Sequence, residues 1–110
     1  MKGKKHLPVT TGNEIHGHSF EEIGVVRGIV VRSPNIFQGL FGVLNSIFGG
    51  NIATYEKICE QARKEAFDRM VNHAQNLGAE AVVAMRYDAT EFIAGVTEVL
   101  AYGTAVRFTS

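Results

Sequence analysis

From Phe20 onward the hydrophobic pattern leaves neither side of an extended strand polar. In Glu22-Ile23-Gly24-Val25-Val26-Arg27-Gly28-Ile29-Val30-Val31, Ile23, Val25, Ile29 and Val31 point one way while Val26 and Val30 point the other. A half-solvated antiparallel sheet would alternate apolar with polar residues, so both faces of this one are expected to be covered. The strand is predicted over Phe20 to Arg32 and ends at Ser33-Pro34-Asn35, where the proline cannot continue a central ladder. Ahead of it, Thr10-Thr11 reads as a short strand and Gly12-Asn13 as a turn.

Two helical patterns come next. Between Asn35 and Gly49, Ile36, Phe37, Leu40, Phe41, Val43, Leu44, Ile47 and Phe48 fall on one arc at ~100° per residue, which predicts a short amphipathic helix. Gly49-Gly50-Asn51 breaks it, and Asn51 or Thr54 can cap a second, longer helix. There Tyr55, Ile58, Cys59, Ala62, Ala66, Met70, Ala74 and Leu77 recur at three- and four-residue steps, and Gly78 supplies a left-handed C′ position. Cys59 and Leu77 are expected in the buried stripe and His73 in solvent. At ~1.5 Å per residue the helix is about 36 Å long, enough to cross a sheet of roughly four strands on one face.

The last third is strand-rich. Ala81 to Asp88 and Val96 to Phe108 are predicted as an antiparallel hairpin around Ala94-Gly95. In the final strand Val99, Ala101, Gly103 and Ala105 make one face small, fit for a close helix, whereas Val96, Leu100, Tyr102, Val106 and Phe108 make the other bulky. One long helix covers one face, so the bulky face is expected to meet another copy of the chain.

Composition narrows the function classes. A chain of 110 residues with 45% hydrophobic and 20% charged residues fits one domain, 1–110, with residues 1–8 read as a flexible tail. Lys+Arg and Asp+Glu balance at 11 each, so no global field favours nucleic acid or an anionic membrane. Cys59 is the only cysteine, which excludes an intrachain disulfide and a Cys-x-x-Cys pair and fits a reducing, cytoplasmic setting. Ser33 to Tyr55 carries no charge, but Asn35, Gln38, Asn45, Ser46 and Asn51 make it too polar to span a bilayer stably.

The ordered motifs Thr10-Thr11, Gly24-Val25-Val26-Arg27-Gly28, Asn35-Ile36, Gly49-Gly50, Tyr55, Ala62-Arg63, Ala66, Met70, Ala74, Leu77-Gly78-Ala79 and Tyr102-Gly103-Thr104-Ala105-Val106 resemble the YbjQ-like family. That bacterial group is described as heavy-metal-binding. The resemblance runs from Thr10 to the end of the chain. It implies an α+β subunit of the dodecin-like type, an antiparallel sheet with one long helix, assembled as a homo-oligomeric ring, a pentamer. It also implies a heavy metal as ligand, without a ligand set to carry over.

Candidate chemistry in the residues themselves is sparse. His16 and His18 flank a glycine and could converge on a divalent metal, with His6, Glu14, Glu21 or a second chain completing the shell; a solvated loop pair is the competing reading. Arg27, Arg86, Asp88 and Glu98 lie inside strands, where they should pair with one another or border a cleft. Arg27 or Arg86 with Tyr102 could line a pocket between subunits for an anionic or aromatic small molecule. No serine has a nucleophile-elbow setting and the lone cysteine has no evident base, so catalysis lacks residues to carry it. The sequence therefore points to a non-enzymatic oligomer that binds a metal or small ligand; a scaffolding oligomer with no small-molecule site is the alternative, and an enzyme the weakest reading.

Overall fold

The structure, a computed structural model, describes residues 7–32, 52–93 and 96–109. Four elements emerge: β1 (Phe20–Arg32), α1 (Ile52–Asn76), β2 (Ala81–Ile93) and β3 (Val96–Phe108). The sheet order is β1-β3-β2, with β3 antiparallel to both neighbours. β1 and β2 thus run in the same direction on either side of β3, a split β-α-β arrangement. The expected helix at Asn35–Gly49 lies outside the described residues.

A seam of small residues decides how closely the layers meet. Ala62, Ala66, Met70 and Ala74 recur every four residues on α1 and are all buried. They lie on Val26, Gly28, Val30, Ala101 and Ala105 of the sheet, each also buried. A methyl at Gly28 would strike the Ala66 carbonyl oxygen and the Met70 backbone nitrogen, so helix backbone rests directly on strand backbone. The helix ends in a Schellman-type cap: Gly78 sits at φ 78°, its N–H donates to the Gln75 carbonyl and that of Ala79 to the Ala74 carbonyl, both at 3.0 Å.

The seam also corrects two residues of the expected stripe. Cys59 is exposed, because four residues back from Ala62 leads to Ile58, which is half-buried, while Cys59 falls to the side. Leu77 is 41% exposed beyond the last helical turn.

Two register shifts redirect side chains that simple alternation misplaces. Between Glu22 and Gly24 a β-bulge turns Ile23 toward the main core, away from Val25. Between Val83 and Arg86, with Ala84 at φ 55°, another bulge sets Met85 in the core and Tyr87 opposite Ala101 on the helix side.

The outer face is partly closed by the chain itself. Ala81, Val83 and Val106 form a second buried cluster under Ile15, Phe20 and Phe108, so Val106 and Phe108 need no second chain to cover them. The expected strand at Thr10 appears as a parallel pairing beside β2. Val82 N–H donates to the Pro8 carbonyl at 2.9 Å, Thr10 N–H to the Val82 carbonyl at 3.0 Å and Met85 N–H to the Thr10 carbonyl at 3.0 Å.

Three helix side chains one turn apart fasten the free edge of β1. Glu65 pairs with Arg32 at 2.6 Å, Arg69 donates to the Ile29 carbonyl at 2.6 Å, and His73 Nδ1 accepts the Arg27 N–H at 3.2 Å. His73 is thus half-buried against the strand and bonded to it, where solvent was expected. These contacts satisfy groups that would otherwise template pairing with another strand.

Candidate functional site

The sheet register brings three expected residues into one row. Tyr102 on β3 lies opposite Arg27 on β1 and opposite Arg86 on β2, so all three rise from the face that α1 does not cover. The next row carries Ile29, Leu100 and Asp88, and the one after it Val31, Glu98 and Thr90. The apolar column Val25, Ile29, Val31 on β1 is thus interrupted by Arg27, and β3 separates it from the polar column Arg86, Asp88, Thr90 on β2. Val25 is 65% exposed, Val31 47%, and Ile29 and Tyr102 37% each.

The charged side chains here do not neutralise one another. The Arg86 guanidinium donates through Nη1 to the Thr11 and Met85 carbonyls, both at 2.8 Å, which fixes it at the β2 edge. The Asp88 carboxylate accepts the N–H of Ala89 at 3.0 Å. The expected pairing among Arg27, Arg86, Asp88 and Glu98 is not formed among the described residues, because the register sets Arg27 and Arg86 on opposite sides of Tyr102 and Asp88 one row further along. Two guanidinium residues and a phenol on one row can meet an oxyanion or stack on a flat ring.

The histidine pair sits elsewhere. His18 N–H donates to the Ile15 carbonyl at 3.1 Å across a tight turn that Gly17 permits with φ 83°. Both imidazoles are exposed, and the His18 ring stacks on Phe108 at 4.2 Å between centroids. Glu21, one of the proposed extra ligands, lies 3.9 Å from Arg107. Among the described residues no group of three or more His, Cys, Asp or Glu side chains converges. Two exposed imidazoles fall short of the four ligands of a closed zinc site, so the described part of one chain does not by itself fit a bound metal.

Sequence reasoning passed over Arg63, Phe67 and Tyr87, which gather on the helix side of β2. The Arg63 guanidinium carbon lies 5.9 Å from the Tyr87 ring centroid, a cation–π approach. Tyr87 is 46% exposed; partial burial of its ring pushes the phenol above its ordinary value of 10.0, and the Arg63 charge partly opposes this. The sequence holds no clear sign of this group, since only the bulge before Arg86 brings Tyr87 round to the helix.

Comparison with known proteins places this architecture. The model of the YbjQ family, described as "Putative heavy-metal-binding", matches residues 7–109. The chain belongs to the YbjQ family. Among its relatives, a UPF0145 protein of Chromobacterium violaceum is 55% identical over 100 residues, 90% of this chain and 86% of that one. Another, from Legionella pneumophila, is 56% identical over 101 residues, 91% of this chain and 96% of that one. A crystal structure of a protein of unknown function of the DUF74 family, from Pediococcus pentosaceus, superposes with a TM-score of 0.62 at 14% identity, covering 93% of this chain and 97% of that one, a likeness of fold. Among the described residues no helix is long and apolar enough to cross a membrane.

Proposed function

We propose that this YbjQ-family chain is a non-enzymatic binding protein that works as a homo-oligomeric ring, five copies in the ring that the family resemblance implies. The observation that carries the reading is the apolar column Val25, Ile29, Val31 with Tyr102 on the uncovered sheet face, exposed in the single chain. Large apolar side chains exposed together on one face of a small domain mark an interaction site, and a chain with balanced charge does not repel its own copy. A second copy covers that column. The row Arg27–Tyr102–Arg86 then borders the junction and offers cations to a small anionic or aromatic ligand.

A heavy metal, the ligand named for the family, would need donors beyond the described residues of one chain, from His6 or a second copy, with His16 and His18 as two of them. The lone cysteine is consistent with a reducing cytoplasm.

Light scattering at dilute and concentrated protein tests the assembly, and Tyr102→Glu is expected to lower the mass. A wild-type monomer at every concentration overturns the reading. Metal analysis of protein purified without an affinity tag, followed by titration of the double variant His16→Ala/His18→Ala, tests the metal. Stoichiometric metal that the double variant loses supports it, and no stoichiometric metal leaves the ring as a scaffold.

A further inference from the structure

We propose that the groove between the N-terminal half of α1 and β2 binds a planar aromatic anion, such as an arene carboxylate or sulfonate. This site is separate from the Arg27–Tyr102–Arg86 row, which lies on the other side of the sheet, and it does not depend on assembly.

The groove exists because the helix is held to one side. Contacts from Glu65, Arg69 and His73 fasten α1 to the β1 edge, and Gly28 lets it sink onto that strand. On the same side the described residues cover β2 at Val82 and Met85 and leave it open from Tyr87 onward, where the bulge before Arg86 turns the tyrosine into the gap. The resulting space is about 730 Å³, with Phe67 and Tyr87 among its walls. That volume falls within the range of small-molecule sites, where apolar walls and a few placed polar groups divide the work.

The charges around it select the ligand. Lys57, Arg63 and Lys64 face a single carboxylate, Glu60. Lys64 is already paired with Asp68 at 2.8 Å, which leaves two cations, Lys57 and Arg63, against one anion. Arg63 is the better placed of the two: its guanidinium lies above the Tyr87 ring and keeps its planar fork for an oxyanion. The Tyr87 hydroxyl, protonated at neutral pH like any phenol, adds a donor at the rim. A flat aromatic body beside Phe67 and Tyr87, with an oxyanion at Arg63 and Lys57, satisfies both kinds of wall.

Fluorescence titration of the full chain with anilinonaphthalene sulfonate reads this out, with phenylnaphthylamine as the comparator that keeps the rings and lacks the anion. Saturable binding of the sulfonate at one per chain is expected, with the neutral comparator weaker. Arg63→Gln should weaken the sulfonate about tenfold, the effect of losing one charge-assisted hydrogen bond. Lys57→Gln, the second exposed variant, should weaken it less, and Arg107→Gln, remote from the groove, not at all. Circular dichroism establishes that each variant is folded; should Arg63→Gln be unfolded, Lys57→Gln decides. No saturable binding, equal binding of the neutral comparator, or unchanged affinity in the folded groove variants overturns the proposal.

Discussion

The two faces of the sheet use nearly the same apolar residues along β1 and meet opposite fates. Toward the helix, Val26 and Val30 are 0% and 1% exposed; toward the open side, Val25 and Val31 are 65% and 47% exposed. Side-chain chemistry does not separate them, since all four are valines. What separates them is the low ground beside the first pair: Gly28, Ala101 and Ala105 let a helix with its own alanine seam come close enough to exclude water, while Gly103 makes room for Val82 and Met85 of β2. Burial here is decided by how closely backbones can approach, and the open face offers no such trough.

The sharpest way to break the contrast is to fill the trough. Gly28→Val places side-chain atoms into the backbone of α1, where no rotamer change relieves the overlap. A loss of about 4 kcal/mol or more is expected, a large share of the stability of a domain this size, read from urea or thermal unfolding. Gly24→Ala is the matched control on the same strand: nothing lies within 4 Å of the added methyl, and a change within about 1 kcal/mol is expected. Equal effects at the two glycines would contradict the close-approach account.

Truncation sharpens the comparison from the other direction. Met70→Ala empties the centre of the covered face, where the side chain is 0% exposed, and should cost about 3 kcal/mol. Ile29→Ala on the open face removes a residue that is 37% exposed, so in dilute protein about 0.5 kcal/mol is expected. At high concentration the Ile29→Ala loss should grow if a second copy covers that face, because association stabilises by mass action. A loss independent of concentration would argue against Ile29 lying in an interface.

Much of the architecture was legible in the residue pattern, and the misses have local causes. β1 was readable from its β-branched run, apolar on both faces up to the proline, α1 from its three- and four-step recurrence, and the cap from Gly78. The small face of β3 was readable because Ala101, Gly103 and Ala105 share one parity. Ile23 and Tyr87 escaped because each lies at or beyond a bulge, and one extra residue reverses the parity of every later position in the strand. Cys59 escaped because a strict four-residue seam drifts away from a three-residue neighbour. Of the candidate site, the sequence supplied Arg27, Arg86 and Tyr102 by residue type, while their common row depended on a pairing register that no single strand encodes. The groove on the helix side was invisible for the same reason, being defined by what α1 leaves uncovered.

The smallest expected effect tests that groove through its tyrosine. Because burial raises the folded-state pKa of Tyr87 above 10.0, the unfolded chain releases this proton first as pH rises. Between the ordinary value and the raised one the folded protein therefore binds more protons than the unfolded, and its stability falls with increasing pH. Tyr87→Phe removes that contribution, so the variant's urea midpoint should decline less steeply than wild type across the alkaline range while matching its slope near neutrality. Ultraviolet titration of the phenolate supplies the direct check: wild type minus variant should isolate one phenol ionising above the ordinary value. A difference curve centred at or below that value would mean the ring stands in open water, and the groove would lose the apolar wall on which its ligand rests.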